Sequence, residues 1–209
     1  MPLFKTTKPN KYTSIFIWKI EESFDALSEN IALSANSKKR LLSMKSELHR
    51  RGFLSVRHLL KAAGYTDYDL FYTDTGKPHL KNGKRISITH SFTFSAIIIS
   101  DFTVGIDIEK TREKIKIIQH KFVNFERGFI HKDDDYIEQL TVIWGAKESL
   151  YKIYPHGGLT FKNDIDINSF KIADKKTTGY IKVKNWDKNY DIHFEQIENF
   201  TLVYAIEQL

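Results

Sequence analysis

With 209 residues, 41% of them apolar and 13% aromatic, the chain is long enough to bury a core as one large domain or two small ones. It contains no cysteine, which excludes disulfides, thiolate metal sites and a cysteine nucleophile. A formal net charge of +6, from 32 basic and 26 acidic side chains, favours an acidic partner such as a nucleic acid, a phosphorylated small molecule or an acidic protein.

The opening Met1-Pro2-Leu3-Phe4-Lys5 lacks the apolar region of a secretory signal, and the longest apolar run, around 94–99, is strand-sized. The expectation is a soluble, cytoplasmic protein with no membrane span. Residues 13–20, TSIFIWKI, read as the first strand, with Pro9-Asn10 as the turn before it. A short helix follows over 23–34, with Ser23 as its N-cap. A longer one is predicted from 38 to 63, where Leu41, Leu48, Leu59 and Leu60 keep helical spacing and Gly64 offers a stop. Gly52 is the expected place for any break. This helix is strongly basic, which suits either a solvated face or an anion-binding one. Asp74-Thr75-Gly76-Lys77-Pro78 and Lys81-Asn82-Gly83-Lys84 read as turns. Short strands are predicted at 86–89, 94–100 and 104–109, helices at 113–125 and 134–153, and strands at 170–173, 179–184, 190–196 and 201–207.

Two stretches carry the candidate chemistry. In Val104-Gly105-Ile106-Asp107-Ile108-Glu109 the period of a strand sets the apolar residues on one face and Gly105, Asp107 and Glu109 on the other. Carboxylates two residues apart can close on one divalent ion, and Gly105 leaves room for a ligand to approach the backbone. The plain alternative is an edge strand with an acidic solvated face. In the second stretch Trp144, Glu148 and Lys152 form a stripe on one helix face, flanked by Lys147 and Tyr151. Glu148 as a third carboxylate, with Lys152 on a neighbouring phosphate, makes an all-oxygen set that suits Mg²⁺. Zinc fits poorly, because the histidines show no ligand spacing. Thr89-His90-Ser91 offers hydrogen-bond donors to a phosphate. It is not a hydrolase site, since neighbours on a strand face opposite ways and no nucleophile elbow is present. Residues 91–99 and 199–207 echo one another, which points to two related α/β halves.

Gly76-Lys77-Pro78, Thr89-His90-Ser91, Gly105-Ile106-Asp107-Ile108-Glu109-Lys110 and Trp144-x-x-Lys147-Glu148-x-x-x-Lys152 come in this order and at these gaps. Together they resemble the 4′-phosphopantetheinyl transferase superfamily, in its longer single-chain class of the surfactin-synthetase-activating type. The resemblance implies an α/β (α+β) pseudo-dimer of two similar halves, residues 1–100 on the nucleotide side and 101–209 carrying the metal-binding strand and catalytic helix. It implies Mg²⁺-dependent transfer of the phosphopantetheine arm of coenzyme A to a serine of an acyl or peptidyl carrier protein, releasing 3′,5′-ADP, with Mn²⁺ as a possible substitute. Carried over by position, Asp107, Glu109 and Glu148 hold the metal. Glu148 also serves as base, and Lys152 and His90 bind phosphates as catalytic groups. Lys77 and Thr89 line the nucleotide site, and Arg50 pairs with the 3′-phosphate, with Lys38 or Lys39 as looser candidates. The family more often has serine at the position of Thr89, and threonine keeps the hydroxyl. The segment between the two metal motifs, which the family uses to meet the carrier, carries no obvious groove-forming signature. A monomer that binds neither nucleic acid nor membrane is expected. The competing readings are a Mg²⁺-dependent nuclease or phosphohydrolase and a non-enzymatic nucleotide- or carrier-binding protein.

Overall fold

The computed structural model describes residues 3–132, 135–186 and 188–208. The chain divides into two compact units, Met1–Phe102 and Thr103–Leu209.

In the first unit the elements run β1 (Leu3–Asn10), β2 (Thr13–Lys19), α1 (Phe24–Ser28), α2 (Ala35–Ser43), α3 (Glu47–Ala62), β3 (Leu70–Tyr72), β4 (Pro78–Leu80), β5 (Arg85–Ser91) and β6 (Phe94–Ser100). The antiparallel main sheet has the order β1-β2-β6-β5, and β3 and β4 form a separate small hairpin. The sheet's core is made where Trp18, Ile97 and Ile99 meet Phe53, Leu54, Leu59 and Leu60 of α3. Each such buried side chain contributes about 1.5–3 kcal/mol. Asp67 and Arg57 pair at 2.9 Å beneath this helix, both side chains almost fully buried.

Several expectations are corrected here. The strand at 13–20 is the second, not the first. Pro9 and Asn10 end an edge strand, where a proline costs no ladder hydrogen bond. The turn is instead Lys11-Tyr12, closed by Tyr12 N donating to Asn10 Oδ1 at 2.9 Å. Ser23 caps α1 as expected, accepting from Ala26 N, but that helix ends at Ser28. The long helix is broken at 44–46 rather than at Gly52, because Ser34 and Ser46 each accept a backbone N–H and so start two helices. Gly52 lies inside α3, where it makes room for a side chain considered below.

The second unit runs β7 (Val104–Lys110), α4 (Ile115–Ile118), α5 (Tyr136–Ile153), α6 (Phe161–Asp164), β8 (Ile165–Ile167), β9 (Lys176–Ile181), β10 (Asn189–Ile197) and β11 (Phe200–Glu207). Short 3₁₀ turns stand at Gln119–Lys121, Phe125–Gly128 and Ile172–Asp174. Its antiparallel sheet has the order β7-β11-β10-β9-β8. Helix α5 lies across β7 and β11 and buries Leu140, Ile143, Ala146 and Leu150 against Ile192, Phe194, Val203 and Ala205. Of the helix expected over 113–125, only α4 and a 3₁₀ turn form. The expected strand at 170–173 is irregular backbone entering a 3₁₀ turn, and β8 was not anticipated. Position 134, the expected start of the next helix, lies outside the described residues.

The echo between 91–99 and 199–207 has a structural counterpart. In each unit the last strand, β6 or β11, lies between the preceding hairpin strand, β5 or β10, and an early strand, β2 or β7. In each, one long helix, α3 or α5, packs on that early strand and on the last one. The two units share this arrangement of three strands and a helix, while β1 in the first sheet and β9 and β8 in the second lie outside it. Among the described residues no helix is long and apolar enough to cross a membrane.

Candidate functional site

The site in the second unit begins with two glycines. A Cβ built on Gly105 would stand 2.0 Å from the Ser149 carbonyl oxygen, and one on Gly145 would stand 2.8 Å from Val203 Cγ2. No real side chain tolerates either distance, so α5 reaches its present height only because β7 and the helix each offer a residue without one. The space beside Gly105 is thus taken by the helix backbone rather than left for a ligand. The Gly105, Asp107 and Glu109 face is not a solvated edge. It lies under α5, and Asp107 is 5% exposed.

Lowering α5 brings its polar stripe onto these carboxylates. Lys152 Nζ donates to Asp107 Oδ1 and to the Ile106 carbonyl, each at 2.8 Å. Trp144 Nε1 donates to Glu109 Oε1 at 3.3 Å. The Glu148 carboxyl is pushed up to about 7, first by burial and then by the negative charge of Asp107, with Glu109 adding to the effect and Lys152 opposing it. Lys152 therefore pairs with Asp107 rather than only with Glu148 one helical turn away. Among the described residues, no three carboxylate or imidazole side chains stand close enough to hold an ion as they are placed. The donor set nonetheless fits a hard cation. It is all oxygen, it is partly buried, and the mutual repulsion that raises Glu148 is what a divalent ion would relieve.

Lys147, which the sequence places at the flank of this stripe, points away from it. Its side chain is completely buried, as is that of Glu126, and the two pair at 2.7 Å. Lys147 Nζ also donates to the carbonyls of Phe122 (2.7 Å) and Phe161 (2.9 Å). Breaking such a pair from one side typically costs roughly 3–5 kcal/mol. Nothing in the spacing of the chain signals Glu126, because the contact is made between distant segments. Trp144 is half-buried, its ring 5.2 Å from both Phe122 and Phe161. Beside Trp144 and Glu109 opens a pocket of about 180 Å³, lined by Lys110, Arg112 and Lys114 together with Ile115, Ile118 and Thr141. The segment after β7 therefore does form a groove, basic and apolar together. Its sequence hides this because the apolar and basic residues alternate without a single helical period.

In the first unit the structure gathers part of the remaining set around the start of α3. A Cβ on Gly52 would come within 3.3 Å of the His90 ring, so this glycine is a notch that seats the imidazole. The His49 ring lies 6.3 Å from that of His90. Arg50 holds its guanidinium 3.8 Å from the centre of the Phe24 ring, and its Nε is buried with no hydrogen-bond partner among the described residues. Thr89 is buried on the opposite face of β5 from His90, as strand alternation requires. Lys77 ends the turn between β3 and β4. Its N–H donates to Thr73 Oγ1, and Gly76 supplies the left-handed φ of +78° that the turn needs. Burial pushes the Lys77 ammonium down to about 8. Lys38 and Lys39 are exposed on α2.

With this geometry in view, residues 103–205 match the family model described as the 4′-phosphopantetheinyl transferase superfamily. A search of curated proteins gives no match.

Proposed function

We propose, from a chain that carries a 4′-phosphopantetheinyl transferase superfamily domain over residues 103–205, that this protein transfers the 4′-phosphopantetheine arm of coenzyme A to a serine of an acyl or peptidyl carrier protein. The observation that carries the proposal is the cluster of Asp107, Glu109, Glu148 and Lys152 under the close crossing of α5 on β7.

In this reaction the serine oxygen forms a bond to the β-phosphorus of the coenzyme A pyrophosphate. The bond from that phosphorus to the bridging oxygen breaks, and 3′,5′-ADP leaves with the electron pair. Asp107, Glu109 and Glu148 would hold Mg²⁺, which when bound neutralises the charge of the pyrophosphate oxygens. Glu148 is assigned to take the serine proton, directly or through water; its carboxyl near 7 is that of the metal-free site, and a bound ion would lower it. Lys152 supplies positive charge beside Asp107 for the 5′-phosphate of the leaving 3′,5′-ADP. Arg50, Lys77, Thr89 and His90 are assigned to the nucleotide and its phosphates. The groove of Lys110, Arg112 and Lys114 suits an acidic partner with apolar residues, as carrier proteins are.

The test is intact-mass spectrometry of an apo carrier protein incubated with this protein, coenzyme A and Mg²⁺. Wild type is expected to add one phosphopantetheine, and Asp107→Ala and Glu148→Ala to add none. Absence of any gain across acyl and peptidyl carriers, together with no binding of coenzyme A, would sink the proposal.

A further inference from the structure

We infer that Glu126 and Lys147 act as a positioning pair that fixes the rotation of α5 and thereby aims Glu148, the next residue, at the carboxylates of β7. This rests on the transfer function proposed above. Neither side chain has any exposure, so neither can touch a substrate. Their contacts are instead complete and structural. All three Lys147 ammonium protons are directed, to Glu126 Oε1, the Phe122 carbonyl and the Phe161 carbonyl. Glu126 in turn accepts from Ile167 N (3.1 Å) and Asn124 N (3.2 Å). One helix residue is thus tied to the 119–128 segment, to α6 and, through Glu126, to β8.

Helical geometry gives this knot its consequence. Residues 147 and 148 differ by about 100° around the helix. Fastening Lys147 toward Glu126, Phe122 and Phe161 leaves Glu148 on the side that meets Asp107 and Glu109. The same fastening places Trp144 between Phe122 and Phe161, from where its indole N–H reaches Glu109. A helix pinned only by its apolar face could turn by a fraction of a residue, since Leu, Val and Ala contacts are non-directional. Four directed hydrogen bonds to a buried charge pair remove that freedom.

The experiment uses full-length protein with coenzyme A, Mg²⁺ and an apo carrier, and reads Tm, kcat, KM for coenzyme A and hydrogen exchange of the α5 amides. The double variant Glu126→Gln/Lys147→Met removes both charges together, a change that buried pairs often tolerate without unfolding. It is expected to fold, to lose about 100-fold in kcat through misplacement of Glu148, and to keep KM within about threefold. A folded double variant with wild-type kcat would overturn the inference, leaving the pair with a stabilising role only. Should the double variant not fold, Glu126→Asp alone decides, because it keeps the charge that buried Lys147 needs and only draws the carboxylate back. A kcat loss of about tenfold at unchanged KM is expected. Unchanged kcat there would overturn the inference equally. If wild type transfers nothing, the function proposed above fails instead, and hydrogen exchange still judges the pair. Faster exchange along α5 in a folded variant supports it, and unchanged exchange rejects it.

Discussion

Burial of a single lysine sets a pH window that can be checked. Lys77 ionises at about 8 in the folded protein against an ordinary 10.5. The folded state therefore holds this proton less tightly than the unfolded chain does. Below pH 8 both states are charged and the full cost of burying the ammonium is present. Between about 8 and 10.5 the folded state loses its proton first, so stability from this group rises with pH. Lys77→Met is expected to raise Tm at neutral pH, with the gain vanishing as pH passes 10.5, measured by thermal unfolding across that range. The same variant should raise KM for coenzyme A by about tenfold, the loss of one charge-assisted phosphate contact. A stabilised variant with unaltered KM would remove Lys77 from the nucleotide site. Not every residue declares its role so openly. Asp107, Glu109, Glu148 and Lys152 were legible because strand and helix periods place them on faces, whereas Lys147 shares their motif yet turns into the core toward Glu126. Periodicity gives the face of a residue but not its partner on a distant segment.

At the scale of elements, the strands that sequence patterns located well, β5, β6, β7, β10 and β11, carry an apolar run or a clean alternation, and in β6, β7 and β11 burial extends to both faces. The polar edge strand β1 and the short β8 lack that signal, and both were missed. Helix α5 was legible from its length and its stripe. The division between α2 and α3 was not, because apolar spacing continues through a break that two serine caps enforce. Gly52 was read as a break and Gly105 as an opening, and the structure makes both of them contacts, with Gly145 as a third. Gly105 and Gly145 admit α5 to the sheet, and Gly52 admits His90 to α3. The last allows stability and function to be separated. Gly52→Ala gains roughly 1 kcal/mol of helix propensity, and its Cβ would press on an exposed imidazole that can shift by a few tenths of an ångström. Chemical denaturation should show the variant within about 1 kcal/mol of wild type. Transfer should nonetheless fall by about tenfold as His90 leaves its seat. Unchanged transfer with a displaced ring would show that His90 is not a phosphate ligand.

For the whole molecule, both units share one arrangement of three strands and a long helix, and their long helices differ in charge. The long helix of the first unit, α3, carries Arg50, Arg51 and Lys61 beside its buried face, whereas that of the second, α5, brings Glu148 to the carboxylates of β7. The net charge of +6 is therefore not spread evenly over the chemistry. It includes Lys110, Arg112 and Lys114 at the groove beside Trp144. If that groove receives an acidic carrier, association is steered by charge and must weaken as salt screens it. The kcat/KM for the carrier should then fall by about tenfold from about 0.05 to 0.5 M salt, while kcat at saturating carrier changes little. Arg112→Glu together with Lys114→Glu should lower kcat/KM at low salt and flatten its salt dependence, because the steering charge is gone in advance. KM for coenzyme A should hold in the same variant, since neither residue is assigned to the nucleotide. A salt slope unaffected by the double reversal would place the carrier surface elsewhere on the protein.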